Sequence, residues 1–397
     1  MPRFTPFPGA RYSPGLDPGA VTAPPYDVID ADERARLAGR HPANAVHVDL
    51  PVAPADGDPY VAARERLDEW IDDGTLVRDF EPVFYGYRMT FPGPSGETRR
   101  STGVLGALDL SAPDQGELLP HEYTTPKARS DRLDLLRATE ANLSAIWGLS
   151  PTHGLTEAIG DPTAGAPSWV DDDGIGHTYW VIDDPDRLAS IAAAVAANPI
   201  VIADGHHRYE TSLQHRDEQR ASRGGDAGEA DAAMFLVVEL VADELTVLPI
   251  HRLVDLADGL DLAGLLSERF EIGEEVELRP ELLDQMVGDG FLALVEPDRA
   301  RRLVPRPGAF EGLRDLDTVR VDAAIEGAPA IGLTYQHGID HVAAAVAAGR
   351  ADAGILVRPV TVEQIGACAE GGERMPPKST FFHPKPRTGA VYRLLDR

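Results

Sequence analysis

The chain has 397 residues, 65 acidic against 37 basic, for a formal net charge of −28 at pH 7. A surface this acidic repels a phosphate backbone, so nucleic acid is not an expected partner. One cysteine, Cys368, excludes an internal disulfide framework and points to a reducing cytoplasm. No run of about 18 apolar residues marks a membrane span, and the start MPRFTPFPGARYSPG lacks a secretory apolar core.

Only three of the 37 basic residues are lysines: Lys127, Lys378 and Lys385. Where any positive charge suffices this chain uses Arg, so a retained Lys marks a place where a compact ammonium is wanted. Lys127 and Lys378 lie in otherwise unusual segments, whereas for Lys385 chance survival is an equally good reading.

Residues 1–25 form a Pro- and Gly-rich arm that ends in APPYDVID, an extended segment followed by a turn. Tyr26 or Asp27 could stand at a cleft there, or the turn is plain. DPYVAARERLDEWIDDG (58–74) predicts a helix with an Asp-Pro start and a Gly stop. PVFYGYRMTF and STGVLGALDL, joined by PGPSGE, predict a hairpin.

HEYTTPKARSDRL comes next. His121 and Glu122 are a possible acid–base pair, Lys127, Arg129 and Arg132 concentrate cations, and Thr124, Thr125 and Ser130 add hydroxyls. A helix is expected to run on through DRLDLLRATEANLSAIWGL, and residues 151–176, rich in Gly, Asp and Pro, read as a loop or an insertion boundary. HTYWVID predicts a strand, DPDRLASIAAAVAAN a helix, and PIVIAD a short buried strand that feeds a further helix near His206.

The turn between them is Asp204-Gly205-His206-His207-Arg208. A strand passing through Gly into a helix presents the first helical N–H groups, which with the macrodipole suit an anion. Gly205 lets a ligand approach the backbone and Arg208 can fork two phosphate oxygens. One of the two histidines can face the ligand as donor or base. Read singly, Asp204 could be a helix cap and His207 a core residue. Zinc held by His206, His207 and His215 is a poor alternative, because no metal-binding spacing is present.

AMFLVVELV and ELTVLPI predict a second hairpin. Helices are expected around 261–269 and 279–287, strands at FLALVE and RRLVP, then helix, strand and helix through HGIDHVAAAVAAG, ADAGILV and TVEQIGACAEGG. Near the end, RMPPKSTFFHPKPRTG places Lys378, Ser379 and Thr380 behind two prolines, either a stiff turn that reaches a phosphate or a basic edge strand. The fold class is α/β (α+β) with mixed sheets. The expected division is 1–150, an N-terminal α/β region with arm and hairpin; 177–255, a phosphate-binding core; and 256–397, a C-terminal α/β region.

PPYDVI, HEYTTPKARSDRLDLLRATEANLSAIWGL, IADGHHRYETSLQHRDE, LPIHRLV and MPPKSTFFHPK together resemble the family called domain of unknown function 1015, over almost the whole chain. Residues 177–220 are more distantly similar to the ParB/sulfiredoxin-like superfamily, in which free serine kinases carry an Asp-Gly-His-His-Arg turn. That resemblance implies that Asp204, Gly205, His206, His207 and Arg208 bind the transferring phosphate of ATP or ADP and its Mg²⁺, with Asp204 as metal ligand. It leaves the catalytic carboxylate open among Glu122, Asp27 and Glu210.

The expected function is therefore a small-molecule phosphotransferase, with free serine, or phosphoserine in reverse, as the leading substrate. A phosphohydrolase and a nucleotide-binding ParB-like module without chemistry are the alternatives. Oligomeric state is not legible.

Overall fold

The computed structural model describes every residue except 56, 94–95, 121–128, 242, 258, 329–330, 372–374 and 396–397, and the side chains of 114, 129–130 and 369–370. Contacts divide the chain into two units: residues 1–246 with 369–372 and 384–397, and residues 247–368 with 373–383. Among the described residues no helix is long and apolar enough to cross a membrane.

The first unit is built on a nine-stranded mixed sheet. Its order is Leu118–Pro120, Ile200–Asp204, Ile146–Ser150, Ala232–Glu239, Thr98–Asp109, Phe84–Pro92, Gly176–Ile182 and Ser168–Val170, with Phe4–Thr5 paired to Thr98–Asp109. The predicted hairpin is present, running from Tyr85 opposite Leu105 to Pro92 opposite Thr98. Gly86 within it makes room for Trp180 on the next strand, since a Cβ there would lie 2.1 Å from the indole. The expected regions 1–150 and 177–255 both contribute strands to this one sheet.

Three expected elements differ, the first being residues 151–176, which hold the helix Leu155–Ile159 and the edge strand Ser168–Val170 rather than a plain loop. The helix after the basic cluster spans Arg129–Thr139 and stops, because Glu140 turns left-handed at φ 46°. IWGL is instead the fully buried strand Ile146–Ser150, between Ile200–Asp204 and Ala232–Glu239. A short apolar run buried on both faces has no period that separates strand from helix. The second hairpin is absent as well. Ala232–Glu239 has both edges taken, by Thr98–Asp109 and by Ile146–Ser150, and leaves none for residues 246–248.

Helix starts coincide with their caps. Asp58 accepts from the Tyr60 N–H ahead of Pro59–Asp72, and Asp184 from the Arg187 N–H ahead of Pro185–Ala196. In each the N-cap carboxylate takes an orphan donor and Pro at the first helical position loses nothing. Pro59–Asp72 buries Leu67 and Trp70 in a core shared with Tyr12, Val46 and Tyr392.

The second unit is a six-stranded antiparallel sheet, ordered Phe270–Glu275, Arg299–Pro305, Leu292–Glu296, Ala353–Leu356, Ile250–Leu256 and Ile331–His337. Strand alternation splits its core between two faces. Ala293 and Val295 pack with Met286, Val342 and Val346, while Leu292 and Leu294 pack with Leu262, Leu266 and Val321. His251 on Ile250–Leu256 is 1% exposed, and its Nδ1 accepts the Val357 N–H at 3.2 Å.

Candidate functional site

The strand Ile200–Asp204 carries a register shift against Ile146–Ser150, with Ile202 opposite Gly148 and Asp204 opposite Trp147. The extra residue, Ala203, re-aims the backbone at Asp204, as bulges do. Gly205 then turns left-handed at φ 87° and caps the helix His206–Ser222 without a side chain. Asp204 is therefore not the cap, and its carboxylate turns elsewhere.

That carboxylate joins two cations. Asp204 Oδ2 accepts from the Arg208 guanidinium at 2.6 Å and Oδ1 from Lys385 Nζ at 2.5 Å. Lys385 also donates to Asp27 Oδ2 at 3.1 Å, on the turn Tyr26–Val28. Arg208 makes a further bond to the Ala145 carbonyl. Burial opposes the charge on Asp204, but Lys385 and Arg208 outweigh it and hold the carboxyl well below the usual range. Burial likewise works against Lys385, and the two carboxylates raise it nonetheless.

Gly205 serves this arrangement twice. Its φ suits glycine, and a Cβ would come within 2.9 Å of Arg208 Nε. Gly205→Ala is expected to cost about 1–2 kcal/mol for the left-handed conformation and to push the guanidinium off Asp204. Urea unfolding followed by tryptophan fluorescence checks the first effect, because all four tryptophans lie in the first unit.

Arg208 lines two cavities in this unit, of about 50 and 20 Å³, which share Leu143, Ser144 and Met234. The larger has room for a few waters. It is also lined by Arg132 and Asp49, so part of the second basic cluster meets the turn. Arg132 Nη1 donates to the Asp49 carbonyl at 2.8 Å and to Oδ1 at 3.2 Å, its Nε to Asp131 at 2.7 Å, and its plane lies 4.3 Å from the Tyr26 ring. Burial raises the Asp49 carboxyl, with Arg132 and Arg208 opposing it.

The segment that delivers Lys385 is pinned just beyond it. Thr388 and Ala23 exchange backbone bonds at 2.8 and 3.0 Å. The Arg387 N–H donates to the Tyr87 hydroxyl at 3.0 Å, Tyr87 meets His177 Nδ1 at 3.0 Å, and His177 Nε2 meets Asp171 Oδ2 at 3.0 Å. Asp171 only accepts, so the His177 proton sits on Nε2 and Nδ1 accepts from Tyr87, which fixes every donor in the chain. Burial lowers His177 and keeps it neutral, against the pull of Asp171.

The other expected residues divide among three places. His121, Glu122, Thr124, Thr125 and Lys127 lie outside the described residues, as do the side chains of Arg129 and Ser130, although Arg129 begins its helix. Glu210 is half-buried on the helix His206–Ser222. Lys378, Ser379 and Thr380 belong to the second unit. There Lys378 turns left-handed at φ 59°, its carbonyl accepts from Arg252 at 2.8 Å, and the Ser379 hydroxyl donates to the Pro376 carbonyl at 2.7 Å.

At Asp204, the expected Mg²⁺ ligand, Arg208 and Lys385 each already occupy one carboxylate oxygen. Among the described residues no group of three or more His, Cys, Asp or Glu side chains could hold a metal, and His215 is buried with its Nε2 against Gln219 at 3.4 Å. Sequence reasoning undervalued Lys385. The scarcity of lysine was the available signal, and the residue's neighbourhood, created only by folding, was not.

Among solved structures, the chain is similar to a free serine kinase in complex with AMP, at 14% identity and a TM-score of 0.39, covering 74% of this chain and 91% of that one. SbnI with C-terminal truncation from Staphylococcus aureus gives 13% and 0.40 over 72% and 85%. A conserved hypothetical protein from Pyrococcus furiosus gives 13% and 0.37 over 73% and 93%. Identities and scores this low say nothing about this chain's chemistry. A valine–tRNA ligase from Mesorhizobium japonicum is 28% identical over 146 residues, 34% of this chain, and the chain spans only 16% of that protein's length. The family described as protein of unknown function (DUF1015) matches residues 4–319, and the chain belongs to that family.

Proposed function

We propose that the chain is a phosphotransferase that moves a phosphoryl group between a nucleotide, ATP or ADP, and a small hydroxyl compound, with free serine as the leading acceptor. The observation that carries this reading is the convergence of Arg208 and Lys385 on one carboxylate beside the start of a 17-residue helix. Phosphoryl transfer asks a protein mainly for positioning and charge neutralisation. Two cations and a helix N-terminus supply both, once phosphoryl oxygens take the place of the Asp204 carboxylate.

Of the expected carboxylates, Asp27 shares Lys385 with Asp204 and is the more exposed of that pair, 37% against 20%, which favours it to take the acceptor's proton. In the transfer the bond from phosphorus to the nucleotide oxygen breaks, the acceptor oxygen bonds to phosphorus, and the hydroxyl proton passes to Asp27. His206 and His207, in the first turn of the helix, orient the phosphate.

The test is phosphorus NMR of the protein with nucleotide, Mg²⁺ and hydroxyl amino acids, beside Arg208→Ala. A new serine-dependent phosphomonoester is expected, and the variant should bind nucleotide roughly 10- to 100-fold more weakly, the worth of one charge-assisted bond. Phosphate release without a serine product would replace the kinase by a phosphohydrolase. Binding with no turnover would replace it by a nucleotide-binding module.

A further inference from the structure

We propose that Lys385 is a ligand-contacting cation of this site, its ammonium taking between Asp27 and Asp204 the position that a protein-bound divalent ion would need, so that phosphate groups bind without metal. This rests on the phosphate reading of the turn.

The geometry carries it. Two carboxylates from distant parts of the chain, 358 and 181 residues away, converge on one Nζ at 3.1 and 2.5 Å. A pair of carboxylates beside a phosphate site is how Mg²⁺ is usually held, and here a compact monovalent charge occupies the point of convergence. The side chain is 11% exposed, so its charge is little screened.

Residue choice agrees. In a chain that uses Arg for 34 of 37 basic positions, a point charge on a flexible stem is retained at a place where a planar fork would be a poor substitute for an ion. Delivery is also controlled: the backbone on the far side of Lys385 is held by Ala23 and by the directed chain from Asp171 through His177 and Tyr87 to Arg387. A surface lysine needs no such anchoring.

The scarcity of lysine makes the test direct. Protein labelled with ¹⁵N-lysine carries only three side-chain ammonium signals, and Lys385 is identified from the single variants Lys127→Arg and Lys378→Arg. Inorganic pyrophosphate is titrated into the full chain in EDTA. The expected result is a saturable shift of the Lys385 resonance, with Lys385→Met at least tenfold weaker in pyrophosphate affinity. The NMR arm uses the unaltered chain at position 385, so it stands even where Lys385→Met fails to fold. Binding that leaves the Lys385 signal unmoved, or that requires Mg²⁺, overturns the proposal and leaves the phosphotransferase reading intact. No binding of pyrophosphate or nucleotide under either condition overturns both.

Discussion

Arg132→Met is expected to destabilise the first unit by about 3–5 kcal/mol, the usual result of removing one partner of a buried ion pair. Arg132 and Asp49 are 6% and 3% exposed. Methionine keeps much of the volume over the Tyr26 ring but leaves Asp49 facing a low-dielectric interior with only the more distant charge of Arg208 to balance it. Burial already raises the Asp49 carboxyl, and without Arg132 it rises further. A carboxyl whose folded pKa lies above its unfolded value stabilises the fold below the unfolded value and loses that contribution as pH rises. The deficit of the variant should therefore shrink as pH falls from 7 toward 5, and Asp49→Asn in the same chain should recover more than half of it. Urea titrations read by tryptophan fluorescence measure all three chains, and a deficit below about 1 kcal/mol, or one that ignores pH, would mean that the pair is in effect solvated.

His251 should make the second unit acid-labile. Burial, with Arg252 and His337 adding to it, pushes its pKa down to about 3, and the bond from the Val357 N–H needs an unprotonated Nδ1. The unfolded chain binds a proton below about pH 6.5, and the folded unit does not until much lower. Stability is therefore lost as pH falls, at about 1.4 kcal/mol per unit, or roughly 3 kcal/mol between pH 7 and 4.5. His251→Gln cannot take up that proton and should lose the slope. Amide exchange in Leu292–Glu296 and Ala353–Leu356, compared between the two chains at each pH, isolates this histidine from others that titrate nearby. Parallel behaviour of the two chains would show that His251 is reached by water.

Most of the first unit was legible where a local signal coincides with the element. Asp58-Pro59 and Asp184-Pro185 announce their helices, PGPSGE its hairpin, and the short run before Asp204 its strand. Errors came where pairing decides. Ile146–Ser150 is a strand because two neighbours flank it, and Ala232–Glu239 makes no hairpin because both its edges are filled. Strand Ile331–His337 and helix Asp317–Ile325 went unread for lack of a clean period. The turn from Asp204 to Arg208 is placed where its strand and helix predicted, but the partners of Asp204 come from residues 27 and 385, and no spacing rule connects positions so far apart. Asp49 gave no sign at all, since one aspartate among many becomes distinctive only when Arg132 is buried against it.

The second unit is inserted in the path of the first: the chain leaves near residue 246 and returns for good at 384. Residues that close the first unit, among them Thr388 on Ala23, Tyr392 on Ala10 and Arg393–Leu394 on Ala141–Asn142, are made only after the second unit. At ribosomal speeds of about 5–20 residues per second, the sheet waits roughly seven to thirty seconds after its ninth strand is synthesised before Lys385 can emerge. During that interval Asp27 and Asp204 exist without their shared counter-ion, a nascent chain holding an unfinished charge cluster. Loss of the chain from Lys385 onward, by an early stop or by proteolysis, would strike the middle of the site while leaving the second unit's own strands whole.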